Sequence, residues 1–223
     1  MFNRIYHSPN VLDWTAFALF VVIVISYRTF LAWMLRNRKK KLILGKLQIY
    51  RNAWIMAHTH EKSNLVVVQT LRNTIMSASF LASTAIILIM GVFNLLSFIN
   101  GHQQSRVVVG IFKSVDPVVE MWRVFLIVIT LIYTFINFTW YIRDMNYIGF
   151  ILNIPKKDLD FIEGRDSTEM ISNRFLKAGL RFSMGMRGYY FLMPLFLWLI
   201  HPVFMIGALL LVVVILLRRD LAG

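Results

Sequence analysis

The chain has 223 residues, 58% of them hydrophobic, and a formal net charge of +13. A mean hydropathy of +0.64 is too apolar for one soluble domain and fits a compact membrane protein with several spans. With no cysteine in the chain, disulfides, thiolate zinc sites and cysteine nucleophiles are excluded.

The chain starts Met1-Phe-Asn-Arg-Ile-Tyr-His-Ser-Pro, without a strongly basic stretch or a small-residue cleavage site. The first apolar run therefore reads as a retained helix, not a signal peptide. A spanning helix needs about 20 mostly apolar residues. The first such run is 11–35, interrupted by Ser26-Tyr27-Arg28. A basic segment, 36–63, follows and opens with Arg36-Asn-Arg-Lys-Lys-Lys. It is juxtamembrane, so 36–41 is expected to meet anionic lipid headgroups rather than nucleic acid. Leu47, Tyr50, Trp54, Ala57, Glu61 and Leu65 recur at helical spacing, and no Gly or Pro lies between Lys46 and Met90. This predicts a cytoplasmic helix leading into the second span, with a break near Ser63-Asn64.

Gln69, Arg72 and Asn73 lead directly into the second span, 74–98. Gln69, Asn73, Ser77, Thr84, Gly91 and Asn94 fall near one stripe of it. Ala78/Ala82 and Ser79/Ser83 follow the small-xxx-small spacing that allows close backbone approach. Packing within one subunit is one reading of this helix; a pore-lining or subunit-contact helix is the other. The third span, 121–142, carries Thr130, Thr134, Asn137 and Tyr141, continued by Asp144. At spacings of three and four these share one helix face. A polar stripe inside a membrane must face protein or water, so it predicts either interhelical hydrogen bonds or a water-filled path.

The segment 143–180 holds Asp158, Asp160, Glu163, Asp166 and Glu169, then turns amphipathic, with Ile171, Phe175, Ala178, Phe182 and Met186 on one face. The last apolar region, 189–217, contains His201-Pro202 near its middle. Charge selects between one crossing and two. Basic residues crowd 36–63 and the terminal Leu217-Arg218-Arg219-Asp220, whereas the second and third spans are joined by a segment with only Arg106 and Lys113. The positive-inside rule places 36–63 and 143–180 in the cytoplasm and the N-terminus outside. An external hairpin at His201-Pro202 returns the terminal arginines to the cytoplasm. The expected fold is thus a single all-α polytopic bundle over 1–223 in a prokaryotic inner membrane. Its fourth and fifth spans are 181–200 and 203–217, the fifth only about 22 Å long. Four spans, the last one kinked, is the alternative.

Arg28, Arg72, Arg143, Arg181 and Arg187 gather toward the cytoplasmic face, with Asn146 beside them. Three readings fit: contact with lipid phosphates, pairing with Asp144 or the acidic segment, and an anion-attracting vestibule. His58 and His60 point to different faces of a helix, and His102 and His201 are both external, so neither haem nor zinc is expected. No Gly-rich phosphate loop or G-x-S-x-G elbow occurs. No cofactor and no catalytic residue is expected.

Three stretches carry a resemblance. Val68-Gln-Thr-Leu-Arg-Asn-Thr-Ile-Met, followed by Phe80-Leu-Ala-Ser-Thr-Ala, is similar to a family's second-helix signature. Tyr141-Ile-Arg-Asp-Met-Asn-Tyr before Asn153-Ile-Pro resembles its third-helix ending. Gly185-Met-Arg-Gly-Tyr-Tyr-Phe, Trp198-Leu-Ile-His-Pro and the terminal Leu-Arg-Arg-Asp resemble its last hairpin. The family is the integral membrane group catalogued as domain of unknown function 599. The resemblance spans most of the chain from the first span onward; it implies the topology and no activity. The residues themselves favour a homo-oligomeric ion channel or small-solute pathway, bordered by the polar faces of the second and third spans. A non-transporting scaffold or sensor, binding a protein through its cytoplasmic helices, is the competing class. An enzyme acting on lipid headgroups is the third.

Overall fold

The computed structural model describes residues 9–37, 43–58, 65–101, 117–164 and 166–221. These form seven helices: α1 Pro9–Asn37, α2 Ile43–His58, α3 Leu65–Gly101, α4 Pro117–Ile151, α5 Lys156–Glu163, α6 Ser167–Ile200 and α7 Pro202–Leu221. Among the described residues there is no strand. The expected break at Ser63-Asn64, and residues 38–41 of the basic run, lie outside the described residues.

Among the described residues, four helical stretches are long and apolar enough to cross a membrane: Val11–Asn37, Leu65–Ser97, Val118–Ile151 and Pro202–Leu221. α6 is too polar to join them, yet it is the central element, packed against α4, α7, α2 and α5. Arg187, Ser167, Ser172, Gly179, Gly185 and Gly188 on it are buried against the other helices. Gly188 brings α6 close to α4: a Cβ added there would stand 2.0 Å from Thr134 Oγ1.

α6 ends because Pro202 offers no N–H and pushes His201 out of the helical region. His201 is extended (φ −160°, ψ 139°) and its N–H donates to Leu197 O. Pro202 then opens α7, a position where the missing donor costs nothing. The two helices fold back on each other. Arg187 on α6 meets Asp220 on α7 at 2.9 Å, whereas a continuous helix would hold them about 50 Å apart. A kinked single helix is excluded by that contact. α7 has 20 residues, or about 30 Å, and so is longer than the 203–217 expected.

Contacts fix the helix directions. At one end of the bundle, the starts of α1 and α4 meet the end of α6 through Asp13, Arg123 and Trp198. Further along, Tyr27, Arg187 and Asp220 bring α1, α6 and α7 together. At the other end, Tyr147 of α4 meets Arg174 of α6, and α5 packs beneath. Two apolar clusters fill the levels between. Phe20, Ala85, Leu131, Leu195, Trp198 and Leu209 belong to the first. Ile55, Leu71, Ala78, Phe138, Ile148 and Ile171 belong to the second.

α2 docks on α6 by a face other than the one its periodicity suggests. Tyr50 and Leu47 are exposed, and Ile55 is the fully buried side chain. Specific contacts set this rotation: Asn52 accepts from Ser172 Oγ, Trp54 stacks on Phe175 at 5.7 Å, and Arg51 lies against Gly179, which has no Cβ to displace it. The amphipathic start of α6 matches expectation, with Ile171 and Ala178 buried and Phe175, Phe182 and Met186 packed against that cluster.

Candidate functional site

The polar residues of the helices separate into three groups: layers buried inside the bundle, a stripe on its outer surface, and a basic cavity at the α5 end.

The first buried layer lies at the Asp13 end. Asp13 accepts from Arg123 Nη2 and from Trp198 Nε1 at 2.9 Å, and the Arg123 guanidinium sits 5.5 Å from the Trp198 ring centre. The second layer joins three helices. Arg187 Nη2 donates to both Asp220 oxygens at 3.0 and 2.9 Å, and its Nε donates to the Tyr27 hydroxyl at 2.8 Å. Tyr27 in turn donates to Asp220 Oδ2 at 2.6 Å. Ser183 takes the remaining edge of Arg187 through its hydroxyl and carbonyl. One guanidinium nitrogen shared by both carboxylate oxygens, with the Tyr27 hydroxyl as a further donor, leaves few lone pairs empty, which is what an ion pair at 6% and 3% exposure requires. Sequence reading named Arg187 but neither Tyr27 nor Asp220 as its partner, and it missed Asp13. An aspartate inside an apolar run was the available signal.

The α4 stripe faces inward. Thr134, Asn137, Tyr141 and Asp144 are buried and Thr130 is half-buried. Thr134 donates to Thr130 O at 2.7 Å and Asn137 to Tyr133 O at 2.8 Å. Tyr141 lies beside Thr74 and Arg51. Asp144 pairs with Arg181. This stripe is satisfied within one subunit.

The α3 stripe faces outward. Gln69, Arg72, Asn73, Ser77, Thr84, Gly91 and Asn94 are all exposed, while Ala78, Ala82 and Ala85 on the opposite face are buried. Ser77 and Thr84 donate only to carbonyls of their own helix, Asn73 O at 2.9 Å and Phe80 O at 2.8 Å. Among the described residues no side-chain hydrogen bond ties Gln69, Arg72 or Asn73 to another helix. The two stripes therefore do not meet, and the arginines do not form one belt. Arg28 rests 5.3 Å over the Tyr133 ring, at an apolar cleft of about 300 Å³ between α1, α4 and α6. Arg72 is on the outer side of α3.

Arg143 and Arg181 do come together, with Arg174 and Lys177, around a polar cavity of about 370 Å³. Asn146 is exposed on the same stretch of α4. Beyond the cavity, the Ser167 hydroxyl beside Asp160, together with Ser167 N donating to it at 2.8 Å, holds its carboxyl below its ordinary range. Asp166 caps α6 by accepting from Thr168 N at 3.1 Å and lies 3.3 Å from Lys156 Nζ, with the same result. Burial against α6 pushes the Arg51 guanidinium down from its usual range. Among the described residues no three His, Asp or Glu side chains lie together as metal ligands would. His60 and His102 are outside the described residues.

The sequence profile of one family, described as a protein of unknown function, DUF599, matches residues 15–223. No curated protein matches, and no solved structure matches.

Proposed function

The chain belongs to the DUF599 family, and from that premise we propose that it works as a homo-oligomer in a prokaryotic inner membrane, where α3 of each subunit borders a pathway for an ion or small solute. The outward stripe of α3 carries the proposal. Elsewhere the outer faces are greasy: Val22, Ile25 and Phe30 on α1, Ile129, Ile132 and Ile136 on α4, and Leu210, Leu211 and Val214 on α7 are exposed. Those faces suit lipid. On α3 the outward surface is mixed: beside exposed Phe80, Ile87, Met90 and Phe93 runs a stripe of amides, hydroxyls and a glycine, which favour protein or water over hydrocarbon. Small side chains also permit the close approach of a second α3.

In this reading α1, α3, α4, α6 and α7 all cross, with the α5 end in the cytoplasm by the charge bias. The fourth crossing, α6, enters as the partner of already apolar neighbours. The buried layers hold each subunit rigid, and the α3 surfaces do the work between subunits. No covalent chemistry is involved.

The absence of cysteine makes the test clean. Single cysteines at Ser77, Thr84 and Asn94 are expected to cross-link copies or to react with a water-soluble thiol reagent in membranes, with reaction at Ser77 or Thr84 altering solute flux in liposomes. A cysteine at Ile132 is expected to do neither. Reagent-resistant cysteines on α3 and a monomeric protein would sink the proposal. A scaffold is the second reading, favoured by one observation: α5 exposes Phe161 at 90% and Ile162 at 69%. Cross-linking on α3 without flux, together with a partner lost on Phe161→Ser, would select it.

A further inference from the structure

We propose that the basic cavity between the α5-end halves of α4 and α6 binds a phosphate group, carried either on a lipid or in solution. The proposal stands on this cavity alone and does not depend on α3 lining a pathway.

The cavity measures about 370 Å³ and is lined by Arg143, Arg174, Lys177 and Arg181, with Asn173 and a single carboxylate, Asp144. Four cations against one anion leave a formal charge of +3 around one space. Asn173, Arg174, Lys177 and Arg181 stand at i, i+1, i+4 and i+8 of α6, which brings them to one side of the helix. Arg143 approaches from α4.

Like charges repel, so a cluster of this sign is costly unless something offsets it. Among the nearby acidic residues, Glu169 lies one turn before Asn173 but is exposed and does not line the cavity. Asp160 is engaged by Ser167, and Asp166 by Thr168 and Lys156. Asp144 accepts from one nitrogen of Arg181 only. An anion from outside is the remaining source of compensation.

Two of the guanidiniums rest on aromatic rings, and one of them, Arg181, spends one donor on Asp144. Arg174 lies 3.8 Å over the centre of the Tyr147 ring, and Arg181 lies 4.9 Å from that of Trp140. Stacking occupies the face of a guanidinium and leaves its N–H donors free in the plane. Those donors suit the tetrahedral oxygens of a phosphate, which accept forked hydrogen bonds. Lys177 and Asn173 add a mobile charge and an amide donor. Met170 closes the wall with a flexible apolar surface. A lipid phosphate and a free phosphate present the same oxygens, so both fit this chemistry.

The test uses the full-length protein in phosphatidylcholine nanodiscs. One arm titrates inorganic phosphate by calorimetry. The other measures retained phosphatidylglycerol by native mass spectrometry after mixed-lipid reconstitution. Arg143→Gln with Lys177→Gln removes two exposed charges and is expected to weaken binding by about tenfold or more, since each charge-assisted hydrogen bond is strong. Arg106→Gln with Lys113→Gln removes the same charge from the segment joining the second and third spans and is expected to leave binding within about twofold, as is the charge-keeping pair Arg143→Lys with Lys177→Arg. Binding of inorganic phosphate assigns a soluble ligand; selective retention of phosphatidylglycerol alone assigns a headgroup. Wild-type protein that takes up neither, or a Gln pair that binds both as wild type does, overturns the proposal.

Discussion

α3 and α4 each carry a polar stripe, over 69–94 and 130–144, and the bundle treats the two in opposite ways. The α4 stripe is turned into the subunit, where Thr134 stands over Gly188 and Asp144 pairs with Arg181. The α3 stripe is turned away, although it lies on the neighbouring helix. The difference comes from the opposite faces. Behind the α3 stripe are Ala78, Ala82 and Ala85, flat enough to pack on α4. Behind the α4 stripe are Phe125, Ile129, Ile132 and Ile136, which are bulky and exposed. A helix buries its smoother or better-matched face, so polarity alone does not choose the interior.

The interior side of this comparison breaks first. Asp220→Ala leaves Arg187 charged and buried without its carboxylate, and about 3–5 kcal/mol of stability is expected to go with it. Unfolding by denaturant or heat in mild detergent measures the loss. Because Tyr27 also depends on Asp220, α1 is expected to loosen first, as protease sensitivity near its end would report. Replacing both partners by apolar residues, Arg187→Met with Asp220→Leu, is expected to recover most of the loss. If Asp220→Ala melts like wild type, the buried layer is not what holds the last hairpin.

The α5–α6 junction lies between the extremes, since its polar groups are paired but in contact with solvent. Asp160 is held below its ordinary 3.8 by the hydroxyl and backbone N–H of Ser167, and Asp166 by the backbone N–H of Thr168. A lowered carboxylate pKa stabilises the folded form above the unfolded value, and that contribution is lost as pH falls through the folded one. Hydrogen-exchange protection over 156–172, taken relative to the intrinsic exchange rate at each pH, is therefore expected to be unchanged from neutral pH down to about 5 and to fall below 3.8. Uniform protection of the junction at pH 3 would remove the role given to these two carboxylates.

These outcomes bear on what the residues reveal by themselves. Depth is legible: each helical residue advances about 1.5 Å, so Arg143 and Arg181 were placed at one level before any contact was known, and His201-Pro202 with the trailing arginines announced a hairpin. Azimuth is not. Nothing local says that Asp13 will find Arg123, 110 residues away, or that α2 will bury Ile55 and seat Arg51 against Gly179 instead of burying Tyr50. Those choices are made by the surface of the partner helix. The same blindness merged three arginine environments into one belt: Arg187 in a buried pair, Arg181 beside a cavity and Arg72 on the outside. α6 shows the complementary effect. Its low hydropathy reflects its central place, since a helix wrapped by protein has little lipid to satisfy.

The smallest expected effect on the subunit is the most decisive for the comparison. Thr84→Val keeps the shape of the side chain and removes its hydroxyl, and Ser77→Ala does the same for Ser77. Both hydroxyls donate only within α3 and both residues are exposed, so each change is expected to alter subunit stability by less than about 0.5 kcal/mol. The interior counterpart behaves differently, because Thr134→Val strips a hydroxyl from a fully buried site against Gly188 and is expected to cost about 1–2 kcal/mol. Assembly supplies the second axis. If α3 meets α3 or water, the Ser77→Ala and Thr84→Val pair shifts the oligomer distribution or the flux while melting stays unchanged, whereas Thr134→Val shifts melting alone. If α3 meets only lipid, removing two hydroxyls from a hydrocarbon-facing surface leaves oligomer and flux untouched and raises stability slightly. The sign of that small change, read beside the oligomer state, tells whether the outward stripe is a working surface.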